Sequence, residues 1–146
     1  IEIKDVQKDE QQIESTLLTE DEVREFTSQY YKAMVMAYNE RSFRDIEPYL
    51  SSYSPLYDEM YDRMYTNREF GSSFENHVIT LLEYETVGAE EIHAKMHAEN
   101  TYTYKNGNKQ FKSFDFTLVI DVFDGEMSVA ESRDAVILED REVEEY

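Results

Sequence analysis

"NTYTYKNGNKQFKSFDFTLVIDVFDGEMSV", Asn100 to Val129, is the stretch that decides the fold. Phe114, Phe116, Leu118, Ile120 and Val122 alternate with Ser113, Asp115, Thr117, Val119 and Asp121. That period of two puts one face of a strand in a core and the other toward water. Asn106-Gly107 and Asp124-Gly125 are tight-turn dipeptides, so the stretch reads as two strands around a turn, with a third strand beginning. Just upstream, Ile92, Ala94, Met96 and Ala98 alternate with His93, Lys95, His97 and Glu99. A two-residue loop at Asn106-Gly107 would set Ala98 against Asp115 and mix the two faces, which a half-buried sheet resists. A three-residue loop, Asn106-Gly107-Asn108, sets Met96 opposite Leu118, Ala94 opposite Ile120 and Ala98 opposite Phe116. It pairs His93 with Asp121 and His97 with Thr117, and this is the predicted register.

Working outward, "HVITLLEYETV" (77–87) is an earlier strand joined through "GAEE". "EMSVAES" follows Gly125, and "DAVILEDREVEEY" extends that strand before an acidic tail over 140–146. Before the strands the period is helical. "TEDE" is a capping box, in which Thr19 and Glu22 satisfy each other's backbone N–H groups. Val23, Phe26, Tyr30, Met34, Ala37 and Tyr38 then form an apolar stripe to about Arg41. Pro48 disturbs the next turns. Ser54-Pro55 is a fresh helix start, and Gly71 is the predicted stop of an aromatic- and methionine-rich second helix. Residues 1–18 are polar and unpatterned and read as a linker.

Helices first and consecutive antiparallel strands after them define an α+β fold. N-terminal helices pack on a curved antiparallel sheet of about four strands, in a single domain over 19–139.

The chain has 146 residues, enough for one domain with a core. Its formal charge of −19 repels phosphate backbones and anionic membrane surfaces, which excludes nucleic acid as a partner and suits cationic ones. With no cysteine, disulfides and thiolate chemistry are excluded. No apolar run is long enough to span a bilayer. The chain begins at Ile1 and shows no signal peptide, which predicts a fragment whose targeting segment lies upstream.

Candidate chemistry is sparse. His93 and His97 lie four apart on a strand, about 13 Å along it at roughly 3.3 Å per residue, so they cannot share a metal ion. Asp115 and Asp121 fall on the polar face, and nothing in the pattern places either carboxyl group in the pocket that acid–base work requires. Phosphate loops and nucleophile motifs are missing. No metal, cofactor or catalytic residue is predicted. The candidate binding site is a groove between the second helix and the sheet, lined by Tyr57, Tyr61, Met64 and Tyr102.

"VREFTSQYYKAMVMAYNERSFRDIEPYLSSYSPLYDEM" (23–60), with its tyrosine-rich helix, "IEPYL" and "SPLY", resembles the start of the extracytoplasmic C-terminal domain of TcaA-like membrane proteins of Gram-positive bacteria. "TYTYKNGNKQFKSFDFTLVIDVFDGEMSV" (101–129) is similar to the strand–turn–strand of the same family, so the resemblance covers roughly Thr19 to Ser132. It implies a nuclear-transport-factor-2-like cone. It also implies a parent protein with a cytoplasmic zinc ribbon, one membrane span and this part outside, associated with the cell envelope and the glycopeptide antibiotic response. The family carries no catalytic motif onto this chain. The expected function is a non-catalytic binding or sensing module for an envelope component, a peptide or a protein partner. The alternatives are an isomerase- or dehydratase-like enzyme with a cone pocket, and a structural or dimerisation domain.

Overall fold

The computed structural model describes residues 18–66 and 73–144. The lead-in over 1–17, the Gly71 stop and residues 145–146 of the acidic tail lie outside the described residues.

Helix α1 (Glu20–Glu40) starts on the predicted capping box: Glu22 N–H donates to Thr19 Oγ1 at 3.2 Å, and Thr19 N–H donates to Glu22 Oε1 at 3.2 Å. Arg41 ends it in a left-handed conformation at φ 56°. The stripe is the predicted one, widened by Thr27 and Tyr31, both buried. Thr27 satisfies its hydroxyl by donating back to Val23 O at 2.9 Å. Two short 3-10 turns follow, Phe43–Asp45 and Glu47–Tyr49, the second containing Pro48. They bury Phe43 and Ile46 and lead to Leu50, which makes a parallel bridge to Val129. Helix α2 (Pro55–Thr66) opens where Ser54 Oγ accepts from Tyr57 N–H at 3.2 Å.

Among the described residues four strands form an antiparallel meander in the order β1-β2-β3-β4: β1 (Ser73–Thr86), β2 (Glu91–Thr103), β3 (Lys109–Phe123) and β4 (Glu126–Val143). Register shifts in β1 and β4 curve the sheet around the helices. The concave face carries Ile92, Ala94, Met96, Ala98, Phe116, Leu118 and Ile120, all buried against α1 and α2. Burying one such large side chain stabilises the fold by roughly 1.5–3 kcal/mol.

Three expectations are corrected. In the β2–β3 register Ala94 faces Leu118, Met96 faces Phe116 and Ala98 faces Phe114, a slip of two residues from the predicted pairing. The loop does hold three residues, but they are Lys105-Asn106-Gly107, closed by Tyr104 N–H donating to Asn108 O at 2.8 Å. Gly107 N–H donates to Tyr104 O at 2.9 Å, and Gly107 takes the left-handed position at φ 89°. A glycine in that position is the last residue of a three-residue hairpin loop, which fixes the register. A slip of two keeps the faces, so the inward set was right. His93 therefore sits opposite Val119, not Asp121, and His97 opposite Asp115, not Thr117.

Secondly, β1 begins at Ser73, four residues before the predicted His77. Its early inward positions are Phe74 and the polar Asn76, which hid the alternation. Thirdly, residues 140–143, read as acidic tail, are strand. Asp140 pairs with Lys112 and Val143 with Lys109, so acidic β4 runs beside the basic start of β3. The Asp124-Gly125 turn is as expected, with φ 52° and 79°.

Candidate functional site

A cavity of about 500 Å³ lies between the two helices and the concave face of the sheet. Helix α1 contributes Tyr30, Tyr31 and Tyr38. Helix α2 contributes Leu56, Glu59, Met60 and Arg63, a stripe at helical spacing. The sheet contributes Phe74, Tyr102 and Phe116, with Lys112 alongside. In β4 a bulge lies between the pairs Thr117–Arg133 and Asp115–Val136, with Asp134 left-handed at φ 58°, and Ser132 and Ala135 on either side of it complete the lining.

The sequence-derived residues divide. Tyr102 lines the cavity; Tyr57, Tyr61 and Met64 do not. Met64 is core, 1% exposed. Tyr57 and Tyr61 turn to the other side of α2 and meet Phe43 edge-on, with centroids 5.0 and 5.4 Å away. The Tyr57 hydroxyl donates to Glu47 Oε2 at 3.0 Å, which raises its pKa. The cavity stripe is thus rotated by about one residue from the one the sequence suggested.

Sequence reasoning missed the polar wall. Asn100 is fully buried on β2. Its Nδ2 donates to the Tyr31 hydroxyl at 2.7 Å and to the Tyr102 hydroxyl at 3.1 Å. Its Oδ1 accepts from Asn76 Nδ2 at 2.8 Å, and the same Asn76 amide donates to Val78 O at 2.8 Å. Parity alone could have found Asn100, because it follows Ala94, Met96 and Ala98 on the inward side. Burial pushes the Tyr31 and Tyr102 phenols up, and the Asn100 hydrogen bond offsets part of that. Tyr30 is pushed up by burial, with Tyr31 and Glu59 adding to it. All three stay protonated in neutral solution.

Aromatic rings supply the rest of the wall. Phe74 stacks on Tyr102 at 5.2 Å, and Tyr31 packs on Phe116 at 6.0 Å. Glu59 is held by Arg63 at 2.6 Å. Among the described residues no histidine lines the cavity, and no cluster of three metal-ligating side chains forms. The histidines lie on β1 and β2 with polar neighbours: His93 Nε2 meets Glu91 at 3.2 Å, and His97 lies between Asp115 at 2.7 Å and Glu99 at 2.9 Å. Hydrogen bonds to those two carboxylates, Glu99 foremost, raise the His97 pKa.

Helices capping a curved four-stranded antiparallel sheet, with a cavity inside, define the NTF2-like class of cone. Residues 19–132 match the model of the TcaA protein NTF2-like domain, and the chain belongs to that family. No curated protein matches it in sequence. Among solved structures it is similar in fold to hexachlorocyclohexane dehydrochlorinase LinA-type3 from Novosphingobium barchaimii LL02, with TM-score 0.59 and 8% identity over 80% of this chain and 87% of that one. It is also similar to LinA, with TM-score 0.59 and 12% identity over 80% of this chain and 86% of that one. At such identities the likeness is one of fold. Among the described residues no helix is long and apolar enough to cross a membrane.

Proposed function

We propose that this NTF2-like domain is a non-catalytic binding or sensing module. In this reading it sits on the extracytoplasmic side of a Gram-positive membrane, as part of a membrane-anchored TcaA-family protein of the cell envelope. The cavity receives an envelope component, a peptide or a segment of a partner protein. Membership of the TcaA family supports the membrane-protein setting, and the link to glycopeptide antibiotic response is part of the proposal. The observation that carries the non-catalytic part is the lining. It has rings and phenols but no histidine among the described residues, and its one carboxylate, Glu59, is tied to Arg63. Proton transfer needs a positioned base, and among the described residues the lining offers no imidazole and no carboxylate without a cationic partner.

The enzymatic alternative draws on the dehydrochlorinase neighbours, which share the cone. Fold alone does not carry an activity across.

The test is an amide NMR titration with peptidoglycan stem peptides, soluble glycan fragments and a glycopeptide antibiotic. Saturable shifts clustered at Tyr31, Asn100 and Tyr102 would support the module. No shift from any of them at millimolar concentration would remove the envelope-ligand reading.

A further inference from the structure

We propose that the cavity selects amphipathic carboxylates, ligands with an apolar and preferably aromatic body that carry one anionic acceptor group. This deepens the binding-module reading and rests on it.

A chain of amides of fixed orientation lies behind the cavity wall. The carbonyl of Val78 can only accept, so the Asn76 side chain must turn its NH₂ toward it. The second proton of that NH₂ points at Asn100, which must answer with Oδ1. Flipping Asn100 would set two NH₂ groups against each other. Asn100 therefore presents Nδ2 to both phenols, and the Tyr31 and Tyr102 oxygens accept on the wall side. Each phenol has one proton to give, and neither can give it to Nδ2. With the wall side taken, both protons are left for the cavity that the two residues line.

Two further donors join them. Tyr30 is 2% exposed and lines the same cavity, and it makes no hydrogen bond among the described residues. The Lys112 ammonium stands 5.6 Å from the centre of the Tyr102 ring and has no carboxylate partner among the described residues. In a chain of −19 net charge, a cavity lined by two cations, Lys112 and Arg63, against one carboxylate, Glu59, with the Tyr31 and Tyr102 protons left to give, is a departure from the surface around it. The acceptor that could welcome a cation, Glu59, already holds Arg63. A ligand that fits must bring an acceptor, and an anionic one gains most from Lys112 because charge-assisted hydrogen bonds are the stronger kind. The stacked pair Phe74 and Tyr102 offers ring faces to an aromatic body.

Three probes on one skeleton separate the possibilities: phenylbutyrate, phenylbutanol and phenylbutylamine, titrated by amide NMR at physiological ionic strength to screen the net charge. The expected order is carboxylate, alcohol, amine, with the carboxylate about tenfold tighter than the amine and shifts centred on Tyr31, Asn100 and Tyr102. Lys112→Met should weaken phenylbutyrate several-fold and leave phenylbutanol unchanged. Tyr102→Phe should weaken both. An amine that binds as tightly as the carboxylate overturns the donor-lined reading and leaves the cavity a binding site. Silence from all three probes overturns the cavity as a small-ligand site altogether.

Discussion

Asn39, in the last turn of α1, and Phe74, near the start of β1, exchange two hydrogen bonds. The backbone N–H of Phe74 donates to Asn39 Oδ1 at 2.9 Å, and Asn39 Nδ2 donates to Phe74 O at 2.8 Å. β1 is an edge strand, so among the described residues one side of its backbone has no neighbouring strand. The Asn39 amide occupies that side at Phe74 and stands in for one residue of a fifth strand. It thereby fixes Phe74, whose ring stacks on Tyr102 in the cavity wall and meets Tyr38 of α1 edge-on.

Asn39→Ala removes both bonds and leaves a part-buried N–H and C=O without partners. The expected loss is about 1–3 kcal/mol by urea unfolding. Amide exchange at Phe74 should accelerate more than exchange in β3. An unchanged Phe74 exchange rate would mean that water replaces the clamp without cost.

Asn100→Ala tests the polar wall. The substitution strips Asn76 of an acceptor and both phenols of a donor, in a place that is fully buried. A loss of about 2–4 kcal/mol is expected, at the upper end for single substitutions because an unsatisfied polar group and a void arise together. The check is the urea midpoint of the variant at a constant slope.

The fold was largely legible because two periods did the work. Period two marked the inward residues of β2 and β3, and a register slip of two leaves that set intact, which is why the faces were right while the pairs were wrong. The site was less legible. Helix α2 carries apolar residues at 56, 57, 60, 61 and 64, enough for two overlapping stripes. Which stripe faces the sheet depends on Phe43, which comes from the preceding turn and takes Tyr57 and Tyr61 for itself. No local pattern reports that contact. Asn100 obeyed the alternation but was polar, so an apolar-pattern reading passed over it.

His97 gives a pH signature. Both of its ring nitrogens face carboxylates, Nδ1 toward Asp115 and Nε2 toward Glu99, so both carry protons when both bonds are made. That geometry favours the imidazolium and raises the folded-state pKa above the ordinary 6.5. The raised pKa stabilises the fold fully below pH 6.5, and that contribution is lost as pH rises through the higher folded value. Urea midpoints should therefore fall from the acidic to the alkaline side of this window, and His97→Gln should flatten the fall. A histidine proton titration that places His97 at or below 6.5 would remove the effect.

Gly107→Ala isolates the turn that sets the register. Gly107 holds φ 89°, and an added Cβ would meet nothing within 4 Å. Steric crowding is thus absent, and the cost is the backbone conformation alone, about 1 kcal/mol. A left-handed third loop residue is what joins Tyr104 to Asn108, so the hairpin can escape the strain only by changing its loop. A one-residue change would turn Met96, Ala98 and Phe116 against their present faces, and a two-residue change, which keeps the faces, would break the Tyr104–Asn108 closure and re-pair every residue of the β2–β3 ladder. The variant should therefore keep the pairing of Met96 with Phe116, seen as an unchanged cross-strand contact by NMR, and show only the small stability loss. A larger loss with altered pairing would show that this loop tolerates no residue but glycine at its left-handed position.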